Sequence, residues 1–402
     1  MAIRWAWSET SRGRGAPGPI AAPGLVAGPA APLRLPDLRV FPTPLQKVRV
    51  LLESAGEVEH MLMVQYLYAA MTLKSAGAPG LTAAQKQAVA AWRVILTDVA
   101  IEEMGHLMAV QNLTLLVRGL PNFDREEFPP RSDLYPFELH LEPLSFASLA
   151  KYVLAEAPLR DDDLLDDYRA AAGATEVRHV GVIYGLLDLL FRRPDEVPEA
   201  GAADEWDAFV AQLAEATGAR LDPGAWHLPL DACDPDSGDR QAAPDDFPSS
   251  AEHFFFSVVR APQEARLLLR EIGLQGEAPV EQGGRRSHYQ QFRTIAEGGT
   301  GLLAFPRDGS WEPALDVGID PKLPDFAGPA VDLAVACDRS YHQILFELTR
   351  YLDAPVDSRG AHADAALGHM SALKLTARAL LQVPQRPDSS KRASPLFSPP
   401  DP

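Results

Sequence analysis

Two acids sit inside apolar helix stripes, and they constrain the fold more than any other feature of the chain. From Leu45 to Lys74 the sequence runs with helical periodicity. At 100° per residue, Leu45, Val48, Leu52, Ala55, Leu62, Met63, Tyr66, Ala70 and Leu73 fall on one stripe. Glu59 is the only charged residue in that stripe. Thr82–Arg118 reads as a second long helix, with Thr82 as its N-cap and Gly119-Leu120-Pro121 as its stop. Here Trp92, Leu96, Val99, Leu107, Val110 and Val117 cluster around Glu103, with His106 60° to one side. A carboxylate in an apolar core must be paired, protonated or bound to metal. Periodicity alone leaves two readings of Glu103 and His106 open: a metal site, or a buried Glu–His hydrogen bond.

Glu-x-x-His spacing puts a carboxylate and an imidazole on one helix face. Chance placement of 24 Glu and 10 His gives about 0.6 such pairs, and three occur: Glu57/His60, Glu103/His106 and Glu176/His179. Glu57 faces away from the apolar stripe, so Glu57/His60 reads as a solvated surface pair. His179 lies at the edge of a stripe formed by Val182, Leu186 and Leu189 and reads as a structural histidine. His288 shares a face with Phe292 and Ile295, and its i−3 neighbour is Arg285 rather than an acid.

The rest of the chain is also mostly helical. A short strand is predicted over 137–142, a short helix over Phe146–Leu154 and a third long helix over about Leu164–Arg193. Shorter helices follow near Trp206–Thr217, from a Ser249/Ser250 cap to about Ile272, and from about Arg285 to Glu297. Two more cover about Val331–Leu352 and Ala361–Val383. This predicts an all-α four-helix bundle core with long loop-rich insertions and additional C-terminal helices. Residues 1–35, rich in Ala, Pro and Gly, and the Pro/Ser-rich residues 384–402 read as flexible tails around a domain at 36–383.

With 37 basic and 55 acidic residues the net charge is −18, which argues against nucleic acid and anionic lipid as partners. Two cysteines, Cys233 and Cys337, make neither a disulfide framework nor a Cys-rich metal site and fit a reducing cytoplasm. No apolar run reaches the length of a membrane helix. Nucleophile-elbow, phosphate-loop and dinucleotide fingerprints are absent.

The segments GEVEHMLMVQYLYAAMTLK (56–74) and ILTDVAIEEMGHLMAVQNLTLLVRGLPNF (95–123) resemble the ferritin-like domain of the iminophenyl-pyruvate dimer synthases of bisindole pigment and alkaloid biosynthesis. The resemblance continues in order through 137–158, 179–190, 250–277, 287–298 and 369–381. It implies a four-helix core with a carboxylate-rich metal site, in which Glu59, Glu103, His106 and His288 are ligands. Two positions depart from the pattern. Val180-Gly-Val-Ile-Tyr184 stands where the third helix usually reads Ile-Gly-Glu-Phe-Tyr, so Val182 replaces a Glu, and Arg285 occupies the fourth-helix Glu position. His179, one turn before Val182, is a replacement ligand. The remaining set suits one divalent ion, Fe first, with Mn or Zn as alternatives. The resemblance implies a metal-dependent oxidoreductase of specialised metabolism that oxidises or couples an amino-acid-derived imine or a related small aromatic substrate. Tyr66, Tyr184 and Tyr289 are its candidates for lining the pocket or relaying electrons and protons, and a homo-oligomer is an open expectation. The alternative is a non-catalytic scaffold, in which Arg285 replaces the metal with an internal salt bridge.

Overall fold

The computed structural model describes residues 37–130, 137–158, 165–174, 179–247, 256–277, 286–299 and 301–399. The predicted N-terminal tail, Glu176 and Arg285 lie outside these residues. The described residues form α-helices and short 3-10 turns, with isolated bridges and no named strand. This is the all-α architecture the sequence predicts.

Helix α1 (Pro44–Thr72) and helix α2 (Ala83–Leu116) are the long central pair and pack on each other. Each opens with a capping box. Thr43 accepts from Gln46 N–H and Thr82 from Gln85 N–H, while each Gln side chain returns to the backbone of its cap. These reciprocal bonds satisfy N–H groups that the helix cannot pair internally. Pro44 sits at N1, where its missing N–H has no cost.

Helix α3 (Phe146–Ala155) follows a Ser145 cap. The third long helix of the sequence reading is instead two short ones, α4 (Asp166–Ala172) and α5 (Gly181–Phe191). Gly173 ends α4 at φ +68°, a left-handed conformation that costs glycine little. An insertion follows, with α6 (Glu205–Thr217) and the one-turn α7 (Pro223–Trp226). Helix α8 (Pro262–Glu277) begins with Pro262 and residues 256–260 are not helical, while the predicted Ser249/Ser250 cap lies outside the described residues. Helix α9 (His288–Glu297) is capped by Ser287, so its first residue is a histidine. Helices α10 (Pro329–Asp353) and α11 (Val356–Leu380) pack closely on each other as the C-terminal pair. Around α1 and α2 the packing brings α5 to α1, α8 to both α2 and α5, and α9 to α2, α3 and α8.

Three local expectations are corrected. The segment 137–142 is not a strand: Leu141 N–H bonds the Asp320 side chain at 2.7 Å, and Asp320 N–H returns to the Leu141 carbonyl at 2.9 Å. A loop residue takes the bonds that a partner strand would need. The C-terminal segment is packed over 384–399 rather than flexible. Ala393, Ser394 and Phe397 are buried, Tyr68 shares a hydrogen bond with Ser394 at 2.9 Å, and the Phe397 carbonyl accepts from Arg125. Glu57 and His60 are not a solvated pair. Glu57 accepts from Glu126 N–H at 3.0 Å, and His60 is buried against α10 with its Nε2 2.6 Å from Tyr341 Oη. A helical wheel of α1 alone cannot show that a C-terminal helix covers its outer side.

Candidate metal centre

Five ionisable side chains converge in the core from four parts of the chain. Glu59 comes from the middle of α1, and Glu103 and His106 from one face of α2. Glu156 caps the C-terminus of α3, and His288 opens α9. None is more than 5 % exposed, so solvent offers these charges little screening.

They form two overlapping groups. Glu59, Glu103 and His106 make one, and Glu103, Glu156 and His288 the other, each with its ligand atoms within 4.8 Å of one another. His106 Nδ1 lies 2.9 Å from Glu103 Oε2 and 3.4 Å from Glu59 Oε2. His288 Nδ1 lies 2.9 Å from Glu103 Oε1 and 3.8 Å from Glu156 Oε2. Glu103 therefore offers one oxygen to each side, and the two imidazole centroids stand 5.5 Å apart.

The groups around this centre fix its orientation. His106 Nε2 lies 3.0 Å from Gln275 Oε1 and His288 Nε2 lies 2.9 Å from Glu102 Oε2. Both acceptors take a proton from Nε2, so each ring is turned with Nδ1 inward, toward the carboxylates. Tyr184 Oη donates to Glu59 Oε1, and Tyr66 Oη donates to Glu156 Oε1 at 2.7 Å. Tyr66 is itself held between Tyr152 and Phe292, with ring centroids 4.9 and 4.8 Å away.

Crowding of like charge shows in the acidities. Burial and the neighbouring Glu103 charge raise the Glu59 carboxyl well above the usual range, and the same two causes raise Glu156. Burial also acts to raise Glu103, but the His288 charge and the bonds from both imidazoles bring it well below the usual value. Burial works against charge on His106, yet Glu103 and Glu59 push it up to about 10.

The donor set fits a metal. Glu59 Oε2, Glu103 Oε1 and His288 Nδ1 are buried in the cluster and make no well-aligned hydrogen bond, being held there by ion-pair contacts with one another and with His106. Carboxylate oxygen with imidazole nitrogen is a donor set for divalent first-row ions.

Of the residues singled out in the sequence, Glu59, Glu103, His106 and His288 meet here, and Tyr66 and Tyr184 reach the carboxylates. His179 is in neither group. Its Nδ1 lies 2.7 Å from the Ala157 carbonyl, where it braces the chain directly after Glu156. Tyr289 is buried and packs under Arg293, whose guanidinium lies 5.4 Å from the ring centroid. Val182 is buried on α5 and brings no donor. Sequence reasoning missed Glu156, Gln275 and Glu277. Glu156 carried a readable signal: it is the only acid between Glu142 and Asp161, and it lies in an apolar run.

Glu277 ends α8 and accepts from Gly181 N–H at 2.7 Å. Burial first, then the Glu156 charge, raises its carboxyl to about 8.

Among the described residues, no helix is long and apolar enough to cross a membrane. No curated protein and no solved structure matches the sequence. The model of the Ferritin-like family matches residues 52–297, which takes in every residue of the two groups. On that match, and with a buried carboxylate–histidine cluster at the centre of its helices, the chain belongs to the ferritin-like family.

Proposed function

We propose that the protein is a metal-dependent oxidoreductase whose centre takes two divalent ions, one on each side of Glu103. The observation that carries this reading is the pair of buried donor groups that share Glu103: Glu59 and His106 on one side of it, Glu156 and His288 on the other. Glu59, Glu103 and His106 would hold one ion, and Glu103, Glu156 and His288 the other. Iron is the first choice, with manganese or zinc as alternatives. When bound, a redox-active pair would supply electron transfer to or from a small substrate.

The chain's own residues do the rest. Gln275 and Glu102 keep Nδ1 of each imidazole turned inward. Tyr184 and Tyr66 each hold one oxygen of an outer carboxylate, which leaves the second oxygen for a cation. The apolar helix faces around the cluster exclude water, so the charges act in a medium of low polarity.

The substrate class comes from the resemblance to the iminophenyl-pyruvate dimer synthases: an amino-acid-derived imine, or a related small aromatic molecule, oxidised or coupled with dioxygen as the electron acceptor.

The test is to load the protein anaerobically with Fe(II), add imines generated from aromatic amino acids, admit air, and follow products by mass spectrometry. A coupled or oxidised product formed by the wild type and absent with Glu103→Gln is expected. Equal product with both proteins would contradict the reading.

A further inference from the structure

We infer that Glu277 is the fourth carboxylate of the centre, taking in space the place that Val182 leaves without a carboxylate in the sequence. It is held on Gly181 N–H and turns to the ion bound by Glu103, Glu156 and His288. The inference rests on the two-ion reading above.

Three observations carry it. The first is a missing ligand. A ferritin-like dimetal site draws one Glu from each of two helices and a Glu-x-x-His from each of the other two, which makes four carboxylates and two imidazoles. The two groups here contain both imidazoles but only Glu59, Glu103 and Glu156. Glu102 is turned outward to His288 Nε2. Two divalent ions facing three carboxylates would leave one positive charge unbalanced in a buried site, and unbalanced buried charge is costly.

The second is position. Glu277 binds the backbone of Gly181, one residue before Val182, so its carboxylate stands at the start of α5, next to the residue that replaces the pattern's Glu. The same turn of α8 already touches the centre, since Gln275 bonds His106.

The third is the space made for it. A methyl group on Gly181 would lie 2.3 Å from Glu277 Oε2. A methyl group on Gly276 would lie 2.9 Å from Glu156 Oε2. Both distances are too short for a side chain, so Gly181 lets the Glu277 carboxylate close on the start of α5 and Gly276 lets the Glu156 carboxylate close on the end of α8. Glu156 Oε2 thus rests against the residue that precedes Glu277.

Mn(II) titration of the full chain by calorimetry tests this, with Glu277→Gln beside the wild type and the melting of the metal-free proteins as the control for folding. The wild type should take two ions. Glu277→Gln should keep the first with unchanged affinity and bind the second at least ~10-fold more weakly, the order of loss seen when a supporting group of a metal site is removed. Glu277→Ala, which also removes the bond to Gly181, is read in the same way. Two ions bound by Glu277→Gln as tightly as by the wild type would overturn the inference and leave the two-ion reading standing. Loss of both ions would overturn it too, since the residue would then act on the fold. A wild type that takes fewer than two ions would overturn the two-ion reading, and this inference with it.

Discussion

Glu57/His60 on α1 and Glu103/His106 on α2 share their spacing, and the imidazole of each pair is buried. They differ in what the rest of the fold brings to them. At His60 the partners are a tyrosine hydroxyl from α10 and a backbone N–H that draws Glu57 aside. Burial and the nearby Arg125 charge hold the His60 imidazole well below its usual pKa. At His106 the partners are carboxylates from two helices, a third carboxylate lies beyond, and a second imidazole faces across. Spacing on one helix therefore does not make a metal site. What sets His106 apart is the convergence of carboxylates from other helices into a group that could hold a metal ion.

The comparison breaks most sharply at Glu103. It belongs to both groups, so Glu103→Gln should abolish binding of both ions, read as metal content after reconstitution. Retention of either ion would mean that Glu103 is not shared. Glu156→Gln comes next and should remove one ion and keep the other, because Glu59, Glu103 and His106 are untouched. Gln275→Ala should weaken the ion at His106 by about 10- to 100-fold, by freeing Nε2 and loosening the ring, without changing the number of sites. The smallest effect on metal belongs to the other pair. Tyr341→Phe should leave metal content unchanged, yet cost about 1–3 kcal/mol of stability in denaturant unfolding, since His60 and Arg125 both lose a buried partner. A change in metal uptake there would mean that the two pairs are coupled.

How much of this was legible in the sequence follows from the same contrast. Glu59, Glu103 and His106 stand out because each interrupts an apolar stripe on a long, well-capped helix. His288 emerged by resemblance, and Ser287 as its cap fixes it at the first position of α9. Glu156 showed only as a lone acid in an apolar run, because it caps a ten-residue helix too short to show a stripe with an acid in it. The predicted helix over 164–193 failed at Gly173, whose φ of +68° ends α4. The burial of His60 and of Phe397 depends on Tyr341 of α10, 281 residues from His60, and no local pattern encodes that contact. The supporting residues Gln275 and Glu277 were illegible for a similar reason. Their roles lie in one turn of α8 that meets α2 and α5 only in the fold.

The central claim is that two cations sit on either side of Glu103. Anomalous diffraction from crystals of the protein loaded with Mn(II) tests it most directly. The account predicts two peaks per chain about 3.5–4 Å apart, one beside Glu59 and His106 and the other beside Glu156 and His288. No peak between these residues, or peaks only elsewhere on the molecule, would contradict it.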